Sequence, residues 1–216
     1  MTCIQSINLK PEFMLPTENL IQEHKKIIEI LDIINKIAEN IKHKKVFYPL
    51  DVEEITNFLT SFWDKCHNVK EEKALYPELI SSGVQIEDKS IDGISNEHTM
   101  GRIYIKEMKY CIVNCKMGHD FSCEKLADCL VNYSTLLRNH IQIEEEVIFP
   151  IINQTLTGKK QQEILRSFVE IEEETLGLQV PEKYSELISY LKAKYTDIIF
   201  QNLEQVMTAQ LQFIYG

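Results

Sequence analysis

Two stretches of this chain repeat one spacing: His67-Asn-Val-Lys-Glu71 and His140-Ile-Gln-Ile-Glu144 each set an imidazole four residues before a carboxylate. On a helix such residues lie one turn apart on the same face, so both reach one inorganic centre. His24 and His98 add single imidazoles from two further segments of helical periodicity. Imidazole suits iron, copper and zinc, and a carboxylate bridges two cations while offsetting part of their charge. Four imidazoles and two carboxylates divide into two nitrogens per metal and two shared carboxylates. That leaves open positions for a bridging oxygen and for a small ligand such as O2, NO or peroxide. Each piece alone is ordinary, since a lone core histidine is usually satisfied by a neighbour and a single His-x-x-x-Glu is usually a surface pair. Six such groups on one level are different. Without cations they would bury polar groups at a cost on the order of several kcal/mol.

The elements that must position them follow from apolar spacing. A first helix is expected from about Thr17 to Lys42, with Leu20, His24, Ile27, Leu31, Ile34, Ala38 and Ile41 inward. Asp51 with Glu54 resembles a capping box for helix two, which carries Leu59, Trp63, His67, Glu71 and Leu75 to about Ile80. A loop from Gly83 to Ser90 leads to helix three, with Ile94, His98, Gly101, Ile105, Met108 and Ile112 inward and Gly118 as its stop. Helix four is expected from Ser122, presenting Leu126, Leu130, Tyr133, Leu137, His140, Glu144, Val147 and Ile151. At about 1.5 Å of rise per residue, His24 and the middle of His67/Glu71 lie roughly 20 and 18 residues from the first turn. His98 and the middle of His140/Glu144 lie about 20 residues from the third, so an up-down-up-down path brings all six groups within about one helical turn of each other.

The fold class expected is therefore all-α: a four-helix bundle over 17–156, an irregular segment over 1–16 and a helical extension over 157–216. The extension holds helices at about Lys159–Thr175 and Pro181–Phe213, the latter with Leu187, Leu191, Tyr195, Ile198, Val206 and Leu211. Its apolar stripes either pack on the bundle or form a homodimer contact. Scarce glycine (7) and proline (6) agree with long helices and few turns. A net charge of −10 argues against nucleic-acid binding, which needs clustered Lys and Arg. No apolar run approaches a membrane span and no export signal is visible, so a cytoplasmic protein with reduced cysteines is expected.

Together, His24, His67-x-x-x-Glu71, Glu97-His98-Thr-Met-Gly-Arg102 and His140-x-x-x-Glu144 followed by Glu-Glu-Val-Ile-Phe-Pro resemble the four helix signatures of the hemerythrin-like, or HHE cation-binding, family. The resemblance covers about residues 17–155. It implies an oxo- or hydroxo-bridged pair of iron ions bridged by Glu71 and Glu144, at a site that also admits Zn or Mn. The oxygen-carrying hemerythrins have a fifth histidine one turn from the helix-three ligand, where this chain has Ile94 and Arg102 around His98. The four-histidine, two-glutamate set is more similar to the repair-of-iron-centres di-iron proteins. Partners implied are a small diatomic ligand or peroxide and a reductant or recipient protein.

Three functions remain open on these residues: a protein reacting with O2, NO or peroxide, a sensor signalling through the C-terminal helices, and iron storage or delivery. Other residues have plainer expected roles. Tyr133 and Trp63 are expected in the core, with Tyr133 alternatively donating a hydrogen bond near the metals. Gly101 makes room either for a ligand or for close helix packing. Glu72, Glu145 and Glu146 are expected on a solvated face, and His43 at a frayed helix end. Cys111, Cys115, His119 and Cys123 recur every fourth residue, which suits zinc or a redox-active thiol pair. Gly118 interrupts that run, so buried packing is the expected role.

Overall fold

The computed structural model describes residues 14–44, 46, 48–84, 90–177 and 182–196. The expected irregular start before Met14, part of the loop after Gly83 and the last helix beyond 196, with Ile198, Val206 and Leu211, lie outside the described residues. Among the described residues every regular element is helical. Helix α1 is Pro16–Glu39, with a wider π turn at Asn40–Lys44. Helix α2 covers 49–81, α3 is Ser90–Lys116, α4 covers 120–155, α5 is Gly158–Thr175 and α6 covers 182–196.

Local chemistry sets the boundaries. Pro16 opens α1 at the position where its fixed φ and missing N–H cost nothing, and Glu18 reaches back to accept from the Leu15 N–H at 2.8 Å. Pro49 does the same for α2, so that helix starts two residues before the expected Asp51 cap. Asp51 is instead buried, accepting from the Tyr195 hydroxyl at 2.6 Å and pairing with Lys194 at 2.7 Å. Gly118, at φ +86°, reverses the chain between α3 and α4. There the His119 N–H donates to the Asn114 carbonyl, and α4 begins at Asp120 rather than Ser122.

Helices α2 and α4 are not uniform. In α2, π turns at Leu59–His67 and Glu71–Leu75 alternate with α turns. In α4 a π turn occupies Glu144–Ile148. Prolines Pro77 and Pro150 each follow such a turn. A proline cannot donate to the carbonyl four residues back, and the widened turn absorbs the break. The extra residue per turn also changes register. An ideal helix overshoots by about 40° every four residues, so a strict every-fourth stripe would rotate off the core. With π turns, Leu59, Trp63, His67, Glu71 and Leu75 are all buried. After Glu144 the same effect moves the inward positions to Ile148 and Ile152, instead of the expected Val147 and Ile151.

The helices bury two apolar clusters. The larger one gathers the inner faces of α1–α4 from Ile27, Phe58 and Met108 to Leu130, and takes in Tyr184, Ile188, Leu191 and Tyr195 of α6. The smaller one holds Leu20, Leu75, Tyr76, Ile94, Ile148, Phe149 and Ile152, and takes in Ile164 and Phe168 of α5. Both C-terminal helices thus pack on the bundle. On α6 the inward stripe is Tyr184, Ile188, Leu191 and Tyr195, with the expected Leu187 only partly buried. Tyr184 meets the Phe58 ring edge-on at 5.0 Å.

The register shift is directly measurable. Ile148→Ala should cost about 2–5 kcal/mol of unfolding free energy in a denaturant melt. Val147→Ala, at a position 45% exposed, should stay within about 0.5 kcal/mol of wild type. The reverse order would place Val147 in the core and remove the wide turn.

Candidate metal centre

Between the two apolar clusters lies a polar layer. It contains all six residues singled out by spacing: His24 from α1, His67 and Glu71 from α2, His98 from α3, and His140 and Glu144 from α4. All six are buried. They form two groups whose donor atoms lie within 4.8 Å of one another, His24/His67/Glu71/Glu144 and His98/His140/Glu71/Glu144. The Nε2 atoms of His24 and His67 stand 3.1 Å apart, and those of His98 and His140 3.3 Å apart. Each glutamate spans both groups. Glu71 puts Oε1 3.4 Å from His67 Nε2 and Oε2 3.4 Å from His98 Nε2. Glu144 puts Oε2 3.3 Å from His24 Nε2 and Oε1 3.2 Å from His140 Nε2.

A ring of four more glutamates orients the imidazoles. The Nδ1–H of His24 donates to Glu145 at 2.8 Å, that of His67 to Glu23 at 2.7 Å, that of His98 to Glu72 at 2.8 Å and that of His140 to Glu97 at 2.9 Å. Every one comes from a neighbouring helix, so α1 orients the histidine of α2, α2 that of α3, α3 that of α4 and α4 that of α1. With Nδ1 committed to a carboxylate, each Nε2 faces inward, where it can ligate a cation once any proton on it is displaced. Glu72 and Glu145 are therefore half-buried partners of His98 and His24 rather than free on a solvated face, whereas Glu146 is exposed as expected. The missed signal was adjacency. Each orienting glutamate is the immediate sequence neighbour of one of the six inner residues, turned about 100° toward the next helix.

Two of these glutamates are themselves held by cations. Arg102 donates to Glu72 at 2.8 Å and to Asp64 at 2.6 Å, using the position one turn after His98 as a brace. Buried Lys70 donates to Glu23 and to Asn19, the latter at 3.2 Å. Aromatic rings close the layer. Trp63 stacks on His67 with centroids 4.5 Å apart and meets His140 at 5.4 Å, and Phe149 stacks on His24 at 5.7 Å. The Tyr76 hydroxyl donates to Glu144 Oε1, a contact between α2 and α4 that has no signature in the spacing. Trp63 thus does more than fill the core. Tyr133 is fully buried two turns away, and its hydroxyl donates to no residue among those described. Gly101 faces that ring, where an added Cβ would lie 3.7 Å from Tyr133 Cε2, an ordinary packing distance that does not itself demand a glycine.

No metal-ligand cluster forms at the α3–α4 turn among the described residues. Cys111 and Cys115 are buried, Cys123 is half-buried, and His119 is exposed at the start of α4.

The charges are strongly coupled. Burial and the adjacent Glu144 charge push Glu71 up, but His67 and His98 outweigh them and hold it below the usual carboxylate range. Burial likewise opposes ionisation of Glu144, and His140 and His24 hold it well below that range. Burial alone would lower the imidazoles. Glu144 and Glu145 instead raise His24 to about 9, and Glu144 and Glu97 raise His140 to about 10. His98 is raised by Glu71 and Glu72. In metal-free protein at neutral pH, protons on Nε2 of His24 and His140 thus offset the buried carboxylates, and a cation must displace them. Metal affinity should therefore rise with pH up to about 9–10. Calorimetry at pH 7 in buffers of different ionisation enthalpy should show release of at least the His24 and His140 protons. Proton-neutral binding would contradict this balance.

The donor set fits metal cations. Both oxygens of Glu71 and Oε2 of Glu144 are buried without a hydrogen-bond donor, an expensive state unless cations face them. Bonds of about 2.1 Å from a metal to nitrogen or oxygen give coordination-polyhedron edges of about 3.0–3.4 Å, matching the spacing between these donor atoms. No curated protein and no solved structure matches the chain in the comparisons made. A family model described as the hemerythrin HHE cation-binding domain matches residues 15–152, the span that carries all ten of these histidines and glutamates. The chain belongs to the hemerythrin HHE cation-binding family.

Proposed function

We propose that this chain is a non-haem di-iron protein that binds or reacts with O2, NO or peroxide, in protection against oxidative or nitrosative stress or in repair of iron centres. His24 and His67 would hold one iron, His98 and His140 the other, with Glu71 and Glu144 spanning both. The supporting observation is the pair of two-nitrogen, two-oxygen groups that share both glutamates. Two irons at such a centre supply redox chemistry toward small oxygen and nitrogen ligands.

The protein's own residues prepare that chemistry. The ring of Glu23, Glu72, Glu97 and Glu145 fixes the tautomer and orientation of each imidazole. Trp63, Phe149 and the surrounding aliphatic side chains exclude water. Tyr76 holds a proton on its hydroxyl beside Glu144 Oε1. A reducing, cytoplasmic location is part of this proposal, and the free thiols of Cys66, Cys111, Cys115, Cys123 and Cys129 support it. Among the described residues no helix is long and apolar enough to cross a membrane.

Iron analysis of protein purified from iron-supplemented cells tests this reading, with about two irons per chain and near-ultraviolet absorption bands expected. His67→Ala should lose at least one iron and His43→Ala none. Equal iron content in those two variants would refute the ligand assignment. Glu97→Gln, which leaves all six inner residues in place, should weaken iron binding by about 10–100-fold through the His140 ring. A catalytic role further requires turnover of NO or peroxide with a reductant, whereas delivery requires iron that leaves the protein for a recipient cluster.

A further inference from the structure

Lys70 is a fully buried cation in a chain of contacts that leaves the bundle. Its ammonium has three protons, and all three have acceptors: Asn19 and Glu23 on α1 and Glu172 on α5. Its Nζ also lies over the Phe168 ring of α5, 5.3 Å from the centroid. Glu23 uses one oxygen for Lys70 and the other for His67 Nδ1 at 2.7 Å. A continuous line of charge-assisted hydrogen bonds therefore runs from α5 through Glu172, Lys70 and Glu23 to one inner imidazole. The other braced glutamate, Glu72, is held by Arg102 from within the bundle. Among the described residues, Glu97 and Glu145 have no cationic brace beyond their histidines.

Glu172 is the one member of that line supplied by the C-terminal helices. Without it, Lys70 keeps its charge in an apolar surround with one acceptor missing, and the pull on Glu23 changes. The oxygens of Glu23 are shared between the ammonium and the imidazole, so a shift of Glu23 toward Lys70 turns the His67 ring. Only the His24/His67 half of the centre contains His67.

We propose that Glu172 is a positioning residue for the metal centre, acting through Lys70 and Glu23 on His67, so that affinity in the His24/His67 half depends on α5 being docked. The inference rests on the two-metal reading above. It makes the centre asymmetric, with one metal tied to the state of the C-terminal helices and the other independent of it.

The test is anaerobic titration of Fe(II) against a chromophoric chelator in wild type, Glu172→Gln, Lys70→Met and the double variant. Thermal melts of the metal-free proteins run alongside, and Glu170→Gln at an exposed position of α5 is the control. Wild type should bind two equivalents, and Glu170→Gln should match it. Glu172→Gln should weaken one of the two by about tenfold while the other stays within about twofold. In the Lys70→Met background, Glu172→Gln should have no further effect, which a purely structural loss would not reproduce. Should Lys70→Met fail to fold, Glu172→Asp decides: affinity recovered toward wild type supports the relay, and affinity no better than Gln overturns it. Two wild-type-like equivalents in Glu172→Gln, or equal weakening of both, would also overturn it while leaving the two-metal reading standing. A wild type that takes up no metal would instead refute that reading, and this inference with it.

Discussion

Two carboxylates buried in an apolar bundle govern this structure. Glu71 and Glu144 are fully removed from water, and three of their four oxygens have no hydrogen-bond donor. Ionised groups in such a place need opposite charge at close range. In metal-free protein the raised proton affinity of His24 and His140 supplies part of it, and cations would supply it more completely. The rest of the layer is organised around that requirement. Four histidines aim Nε2 at the carboxylates, four further glutamates hold their Nδ1 atoms, and aromatic rings keep water out.

The backbone of α2 and α4 is adapted to the same end. Both helices carry the pattern His-x-x-x-Glu-Glu-x-x-x-aromatic-Pro, ending at Pro77 and Pro150. In both, the inner glutamate opens a π turn that closes before the aromatic residue. The widened turn accommodates the proline and keeps residues four apart on one face. It also delivers the aromatic side chains to the layer: Tyr76 reaches Glu144 and Phe149 reaches His24. Helix geometry and ligand geometry are thus one problem, and the two halves of the bundle answer it alike.

The C-terminal helices break that symmetry. Helix α6 completes the larger apolar cluster and ties to α2 through Tyr195 and Asp51. Helix α5 covers the smaller cluster and supplies Glu172 to the buried Lys70. On the other side, Arg102, one turn after His98, braces Glu72. One histidine is therefore supported from an appended helix and another from within the bundle.

Read alone, the sequence determined the six inner residues, the four helices that carry them and the common level they share. Spacing four apart and a constant rise per residue are properties of a single helix, so they are legible before any packing is known. The tertiary structure decided what depends on a second helix. The residues next to the six inner ones looked solvated on their own helices, and only the neighbouring helix turns Glu72 and Glu145 into partners of His98 and His24. Asp51 read as a cap and proved to be the anchor of Tyr195, 144 positions away in sequence. On an ideal α-helix Val147 and Ile151 would face the core, whereas the π turn before Pro150 moves the core positions to Ile148 and Ile152. A hydrogen bond between helices, or one that leaves the α pattern, has no period along the chain, so spacing cannot reveal it.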